Sequence, residues 1–253
     1  MFFKPFFIAL STYSIVPVPQ FEWTEDNLRY SICFFPLVGL LCGGALTGWL
    51  AFCSALDIGH ILCAAVAVCI PLLLSGGIHM DGYMDTVDAL ASHQPREKKL
   101  AILKDPNSGA FAVAYCGVYL VLCFGLMYEL LDTGLLIAVC PGFVLSRALS
   151  GLCAVTLPNA RGSGMLNSYT QKARKRLVST VMIAFAVLAS AAMTALAPLP
   201  GLLAAVLSVL WVFLYRRMVM RQFGGVTGDT AGFFLQVCEL AVLLGIWMGG
   251  LLP

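Results

Sequence analysis

Asp81, Asp85 and Asp88 stand at i, i+4 and i+7 in the stretch SGGIHMDGYMDTVDALASHQPREKKLAILKDPNSG, which runs from Ser75 to Gly109. At about 100° per residue on an α-helix, their carboxylates fall within an arc of roughly 60°. Like charges so placed weaken a helix by a few tenths of a kcal/mol per pair, and a bound divalent cation turns that conflict into a site. Magnesium suits such a set, because it takes carboxylate oxygens and completes its shell with water and substrate phosphates. A solvated acidic face is the ordinary alternative. Here the acidic stretch follows directly on an apolar run in a chain with little charge, and that favours the metal.

Further polar groups are placed to join the aspartates. Lys104-Asp105 comes close behind them, and Gly109 opens the next apolar run. Arg147 lies within an apolar run, where a charge costs about 2.5–3.5 kcal/mol at mid-bilayer and so pairs, lines a cavity or snorkels to the surface. The loop PNARGSG, Pro158–Gly164, offers Arg161, Ser163 and backbone N–H groups to a phosphate. In GGVTGDTAGFFLQVCE, Asp229, Gly232, Gln236 and Glu239 share a stripe about 80° wide if the segment is helical, with Glu239 roughly 15 Å below Asp229. A carboxylate on such a stripe is a candidate for substrate or metal contact, against a plain hydrogen bond to a neighbouring helix. Gly76 and Gly77 break any helix before His79, so the direction of that imidazole cannot be read. A hydrogen-bonding or leaving-group role and a structural one are equally open for it.

The elements that must position these groups follow from composition. Of 253 residues, 60% are hydrophobic and 11% charged, with mean hydropathy +0.91. A soluble domain needs more polar surface than that, and apolar runs of about 20 residues mark membrane spans. The expected fold is all-α, a single polytopic helix bundle over residues 1–253. Spans fall at about Ser31–Leu56, a run ending at Leu74, Ala110–Leu131, Gly134–Leu157, Leu177–Leu196, Gly201–Tyr215 and Ala231–Leu251. A short interfacial helix, Lys4–Pro19, ends at Pro17 and Pro19, and it lacks the small-residue site of a cleaved signal peptide. Gly39-x-x-x-Gly43 and Gly44-x-x-x-Gly48 permit close helix contact, within one subunit or between subunits, so a homo-oligomer is left open. The ten cysteines form no ligand spacing and behave as small hydrophobes. Nothing basic and aromatic points to nucleic acid.

Threading these spans through a bilayer puts all 15 Lys and Arg residues on one side or at helix ends facing it. By the positive-inside rule that side is cytoplasmic. The acidic stretch, Arg161 and Asp229 face it too, towards cytoplasmic metabolites and magnesium.

The motifs together resemble the cobalamin synthase family. The resemblance rests on Ser14–Pro19 (SIVPVP), Phe35–Gly39 (FPLVG) and the string GGIHMDGYMDTVDA from Gly76 to Ala89. Lys104-Asp105, Ser146-Arg147, Arg161–Gly164 and Gly224–Asp229 (GGVTGD) complete it in the family's order across nearly the whole chain. Two positions depart from the family's habit. Ile15 and Val16 stand where a basic residue often precedes the first Pro-x-Pro, and Ser108 stands where an aliphatic residue often precedes the glycine.

The resemblance implies a multi-pass enzyme of the bacterial cytoplasmic membrane that transfers the adenosylcobinamide phosphate group. The donor is adenosylcobinamide-GDP, the acceptor α-ribazole or its 5′-phosphate, and GMP leaves. On that reading Asp81, Asp85 and Asp88 hold one or two Mg²⁺ ions, and one of them, Asp88 in the first instance, accepts the acceptor's proton. His79, Lys104 and Asp105 join the catalytic set. Lys104, Arg147 and Arg161 hold phosphate oxygens, Asp229 and Glu239 line the pocket and bind metal or polar corrinoid groups, and Gly76, Gly77, Ser163 and Gln236 complete the substrate-binding set. Two other readings compete. A CDP-alcohol or isoprenoid phosphotransferase also uses aspartate-rich turns, but the DGxxAR of the former is incomplete at Asp81-Gly82. A small-solute transporter would want a broken helix pair at mid-membrane.

Overall fold

Backbone inside a bilayer must close its own hydrogen bonds, which a helix does within itself. The structure, a computed structural model, describes residues 3–252, and helices follow one another with no strand among them. α1 (Phe3–Tyr13) and the single turn α2 (Glu25–Leu28) precede the first long helix, α3 (Phe35–Ala55). Then come α4 (His60–Leu74), α5 (Ile78–Ala91), α6 (Arg96–Ile102) and α7 (Ala110–Leu130). α8 (Cys140–Thr156), α9 (Met165–Lys172), α10 (Lys175–Leu196), α11 (Pro198–Gln222) and α12 (Gly228–Gly250) follow. A polytopic helix bundle is what the apolar runs require, and it is what forms.

Six segments are long and apolar enough to cross a membrane: 25–55, 110–133, 135–156, 175–196, 198–222 and 228–250. The seventh expected span, α4, is different. Its 15 residues reach about 22 Å, short of a hydrocarbon core of roughly 30 Å. After Ser75 the chain passes through Gly76 and Gly77, at φ +62° and +79°, and α5 leaves at 91° to α4. Only glycine enters that left-handed region without strain. The acidic stretch is therefore a 14-residue helix turned at right angles to the short span before it, outside the crossing segments.

Boundaries shift elsewhere for local reasons. α1 ends at Tyr13 rather than at the prolines, and Ile8, Ala9 and Leu10 are buried, so it belongs to the bundle and not only to its surface. α11 runs on from Tyr215 to Gln222, carrying Arg216, Arg217 and Arg221 as a helical extension. α12 begins at Gly228 because Thr227 and Thr230 form a capping box, which leaves Asp229 in the first turn. An acidic side chain is favoured there by the unpaired N–H groups and the helix dipole.

α8 is the central helix, packed against α3 on one side and α10 on the other. Of the two glycine pairs on α3, only the first is used. Gly39 and Gly43 face the backbone of Phe143 and Cys140, whereas Gly44 and Gly48 meet nothing. α12 is sandwiched between α11 and α5, and that crossing builds the site.

Candidate functional site

α5 and α12 meet at two glycines. A Cβ on Gly82 would sit 2.7 Å from the Asp229 carbonyl oxygen, and one on Gly232 2.9 Å from that of His79. Real side chains do not pack that closely, so this approach requires glycine on both helices. It sets Asp81 and Asp85 of α5 beside Asp229 of α12. The opposing charge arrives on the loop after α8. Ala160 N–H donates to Val226 O at 3.0 Å and Val226 N–H donates to Pro158 O at 2.8 Å, an isolated parallel bridge between Asn159 and Val226 that ties the two loops together. Asn159 Oδ1 accepts from the N–H groups of Arg161 and Gly162 at 2.9 and 2.8 Å and turns the loop inward. Arg161 Nη2 ends 3.0 Å from Asp229 Oδ2.

Asp81, Asp229 and Arg161 border a cavity of about 360 Å³ lined by α1, the start of α3, α5, α8, α9 with the loop before it, and the start of α12. Its lining includes a charged and polar set, Asp81, Arg161, Ser163, Thr227 and Asp229, and an apolar and aromatic set, Tyr13, Ile32, Phe35, Ala154 and Leu166. His79 also lines it, its ring against those of Tyr13 and Phe35.

The charged set carries surplus negative charge. Burial pushes the Asp85 carboxyl up to about 7, helped by the charges of Asp81, Asp229 and Asp88, and Arg161 offsets this only in part. Burial pushes His79 down to about 3, with the nearby Arg147 cation acting in the same direction, so its ring is neutral. No three His, Cys, Asp or Glu side chains form a closed metal cage among the described residues. Magnesium does not need one. It is held by one or two carboxylates together with substrate phosphates, and the all-oxygen donors around Asp85 fit that pattern.

The comparisons decide the family. The model of the cobalamin-5-phosphate synthase family matches residues 5–247. The chain belongs to that family. It is 43% identical to the adenosylcobinamide-GDP ribazoletransferase of Lachnoclostridium phytofermentans over 94% of this chain and 91% of that one. Against the enzyme of the same name from Pseudomonas fluorescens it is 37% identical over 96% and 98%. Against that of Desulfitobacterium hafniense it is 33% identical over 96% of each. No solved structure matches.

In this member of the family, the residues singled out from sequence divide into three groups. His79, Asp81, Arg161, Ser163 and Asp229 share the cavity, with Asp85 electrostatically coupled to it. Gly76 and Gly77 shape the bend that aims α5 and do not line the cavity. The remainder have other duties. Asp88 accepts N–H bonds from Gly109 and from Ala112, the latter at 2.9 Å, so both oxygens are engaged at the start of α7, and Asp88 does not line the cavity. Lys104 and Asp105 are exposed, and Asp105 is spent on a local turn with Asn107. Arg147 is wholly buried, 2.7 Å from Glu239 Oε1 and 3.0 Å from the Phe143 carbonyl, and is not available to phosphate. Gln236 accepts from the Tyr119 hydroxyl at 2.7 Å. Gln236 and Glu239 border a separate void of about 30 Å³, room for little more than water.

The stripe on α12 thus serves two places: its first turn serves the cavity, and the residues two and three turns later serve the core. Sequence reading missed Tyr13, Phe35, Asn159 and Thr227. The two aromatics carry no signal within apolar helices. The Asn-x-x-Gly turn and the Thr-x-x-Thr cap were legible local motifs.

Proposed function

We propose that this chain catalyses transfer of the adenosylcobinamide phosphate group from adenosylcobinamide-GDP to α-ribazole or its 5′-phosphate, releasing GMP, at the cytoplasmic face of a bacterial plasma membrane. Family membership supports the reaction. The observation that carries the site is the α5–α12 crossing, which sets Asp81 and Asp229 with Arg161 in the lining of a cavity, and Asp85 within reach of their charges.

The acceptor's ribose hydroxyl attacks the phosphorus next to the cobinamide, the phosphoanhydride P–O bond breaks, and GMP leaves with the bridging oxygen. The donor's oxygens are anionic and repel the incoming hydroxyl, so the residues must supply positive charge and alignment. Arg161 neutralises a phosphate oxygen, and a substrate phosphate would exchange with Asp229 for its guanidinium. Ser163 and the N–H groups of the Gly162–Gly164 loop donate to the remaining oxygens. Asp81 and Asp85, with Asp229, would hold Mg²⁺ through their carboxylates. When bound, magnesium supplies charge neutralisation on the pyrophosphate and its leaving group. With Asp88 committed to α7, the proton of the attacking hydroxyl passes to a carboxylate that lines the cavity, Asp81 or Asp229. The cytoplasmic orientation is supported by Lys and Arg residues gathered on the side of this cavity.

The test is GMP release by the detergent-solubilised protein given adenosylcobinamide-GDP and α-ribazole phosphate, with Mg²⁺ and with EDTA. Acceptor-dependent GMP that EDTA abolishes is the expected result. No GMP from folded protein would overturn the assignment, and GMP unaffected by EDTA would overturn the metal.

A further inference from the structure

Away from the cavity, the end of α11 presents charge that nothing in the chain answers. Arg216, Arg217 and Arg221 are exposed there, and among the described residues none of them forms an ion pair with an Asp or Glu. The basic stretch after α9 differs in this respect, since Lys172 pairs with Glu25 and Arg174 lies over the Tyr30 ring at 5.9 Å. Arg217 and Arg221 also stand at i and i+4, where like charges weaken a helix. Position along α11 places the three cations in depth. At 1.5 Å per residue, Arg216 is about 27 Å and Arg221 about 35 Å from Pro198. With α11 crossing from Pro198, a hydrocarbon core of roughly 30 Å ends among them, at the level of lipid phosphates.

An apolar track leads to the same place. Leu202, Val206, Val209 and Phe213 are all exposed, and they share a stripe about 60° wide on the helix. The stripe runs into a shallow concavity of about 520 Å³, in which Phe213, Leu214 and Met220 stand beside the three arginines. We infer that this surface binds an anionic phospholipid of the leaflet on the side of the acidic stretch. The lipid phosphate lies among Arg216, Arg217 and Arg221, and an acyl chain follows the stripe from Phe213 towards Leu202. Guanidinium groups make charge-assisted hydrogen bonds to phosphate, and the bound anion relieves the repulsion between Arg217 and Arg221. A zwitterionic lipid brings its own cation into that cluster and loses the match. A soluble phosphate leaves the apolar half of the concavity unused. One molecule with an anionic head and a hydrocarbon tail meets both halves. The inference is independent of the reaction proposed above, because it uses neither the cavity nor its residues.

Native mass spectrometry of the full-length protein in detergent tests it by titration with phosphatidylglycerol or with phosphatidylcholine of the same acyl chains. Phosphatidylglycerol should bind on the order of a hundredfold more tightly, as three cations contributing about fivefold each would give. The triple variant Arg216→Gln, Arg217→Gln, Arg221→Gln should bring the two lipids within a few-fold of each other, and Arg217→Gln alone should lose about fivefold. A control triple, Lys4→Gln, Lys175→Gln, Arg176→Gln, removes the same charge from exposed positions elsewhere on that side and should keep the preference. Equal affinity of the native protein for the two lipids overturns the inference before any variant has to fold. Equal loss of preference in the two triple variants overturns it by reducing the arginines to general surface charge. Complete displacement of phosphatidylglycerol by inorganic phosphate would favour a soluble anion instead. A dimer that needs the three arginines and carries no lipid would favour a second copy of the chain.

Discussion

Two regions of the bundle bring an arginine from the α8 side against a carboxylate of α12, and they do opposite things with it. Arg147 and Glu239 meet in the interior, at 0% and 7% side-chain exposure, with Ser146 and the Phe143 carbonyl filling further bonds. Arg161 and Asp229 meet ten residues nearer the start of α12, at 17% and 23%, beside two more aspartates that have no basic partner of their own. The first set is matched in charge, although Arg147 Nε makes no hydrogen bond, and no ligand-sized space adjoins it. The second has excess negative charge, a cavity beside it and an arginine that can exchange partners. The same pairing of arginine with a carboxylate becomes structure or site according to the charge and space around it.

The sharpest way to break this contrast is Asp85→Asn. If the aspartates serve the reaction, turnover should fall by on the order of 10³-fold, since the metal's several kcal/mol converts at about 1.4 kcal/mol per tenfold. The thermal midpoint without magnesium should hold or rise, because a crowded charge has been removed. Near-normal turnover and unchanged magnesium dependence would end the metal assignment. In the closed region Glu239→Leu should do the reverse. It strands the Arg147 cation and should cost about 3–5 kcal/mol of stability, while Arg147→Met combined with Glu239→Leu recovers most of it. Denaturation in detergent, with activity expressed per folded molecule, separates the two regions.

A smaller effect tests how the site is assembled. Gly82→Ala places a methyl 2.7 Å from the Asp229 carbonyl and should cost about 1–3 kcal/mol, with a loss of turnover larger than the loss of folded protein. The smallest effect is in pH. Because the folded Asp85 carboxyl is raised to about 7 from 3.8, the folded protein holds a proton that the unfolded chain has released. Stability without metal should therefore fall as pH rises between those values. Magnesium binds the carboxylate form, so the rise in melting temperature it gives should grow as pH climbs through 7. A magnesium effect that is flat with pH would separate Asp85 from the metal.

How much was readable beforehand follows the same divide. Each apolar run became a helix because a bilayer leaves the backbone no alternative, and composition alone carries that. The aspartates, Arg161 and Asp229 were legible because polar residues at helix ends in such a chain need a reason. Partner choice was not legible. Arg147 and Glu239 both looked like pocket residues, and only the α8–α12 packing shows that they satisfy each other. Asp88 looked like the third ligand of an evenly spaced set. Nothing in the spacing reveals that the start of α7 comes back to occupy it. The right-angled departure of α5 could not be read either, since two glycines state that the chain turns and not where it goes.

The cavity takes Tyr13 from α1 and Gly232 from α12, the first and last helices of the described chain. A ribosome delivers these two walls far apart in synthesis. While α12 is still in the ribosome, the nascent chain already carries Asp81, Asp85 and Arg161, but no enclosed site and no partner for the face of Gly82. The cavity therefore closes only once α12 has been added, and a chain stalled before it has no enclosed site. Such a chain would also expose an unfilled helix groove to the quality-control proteases of its membrane.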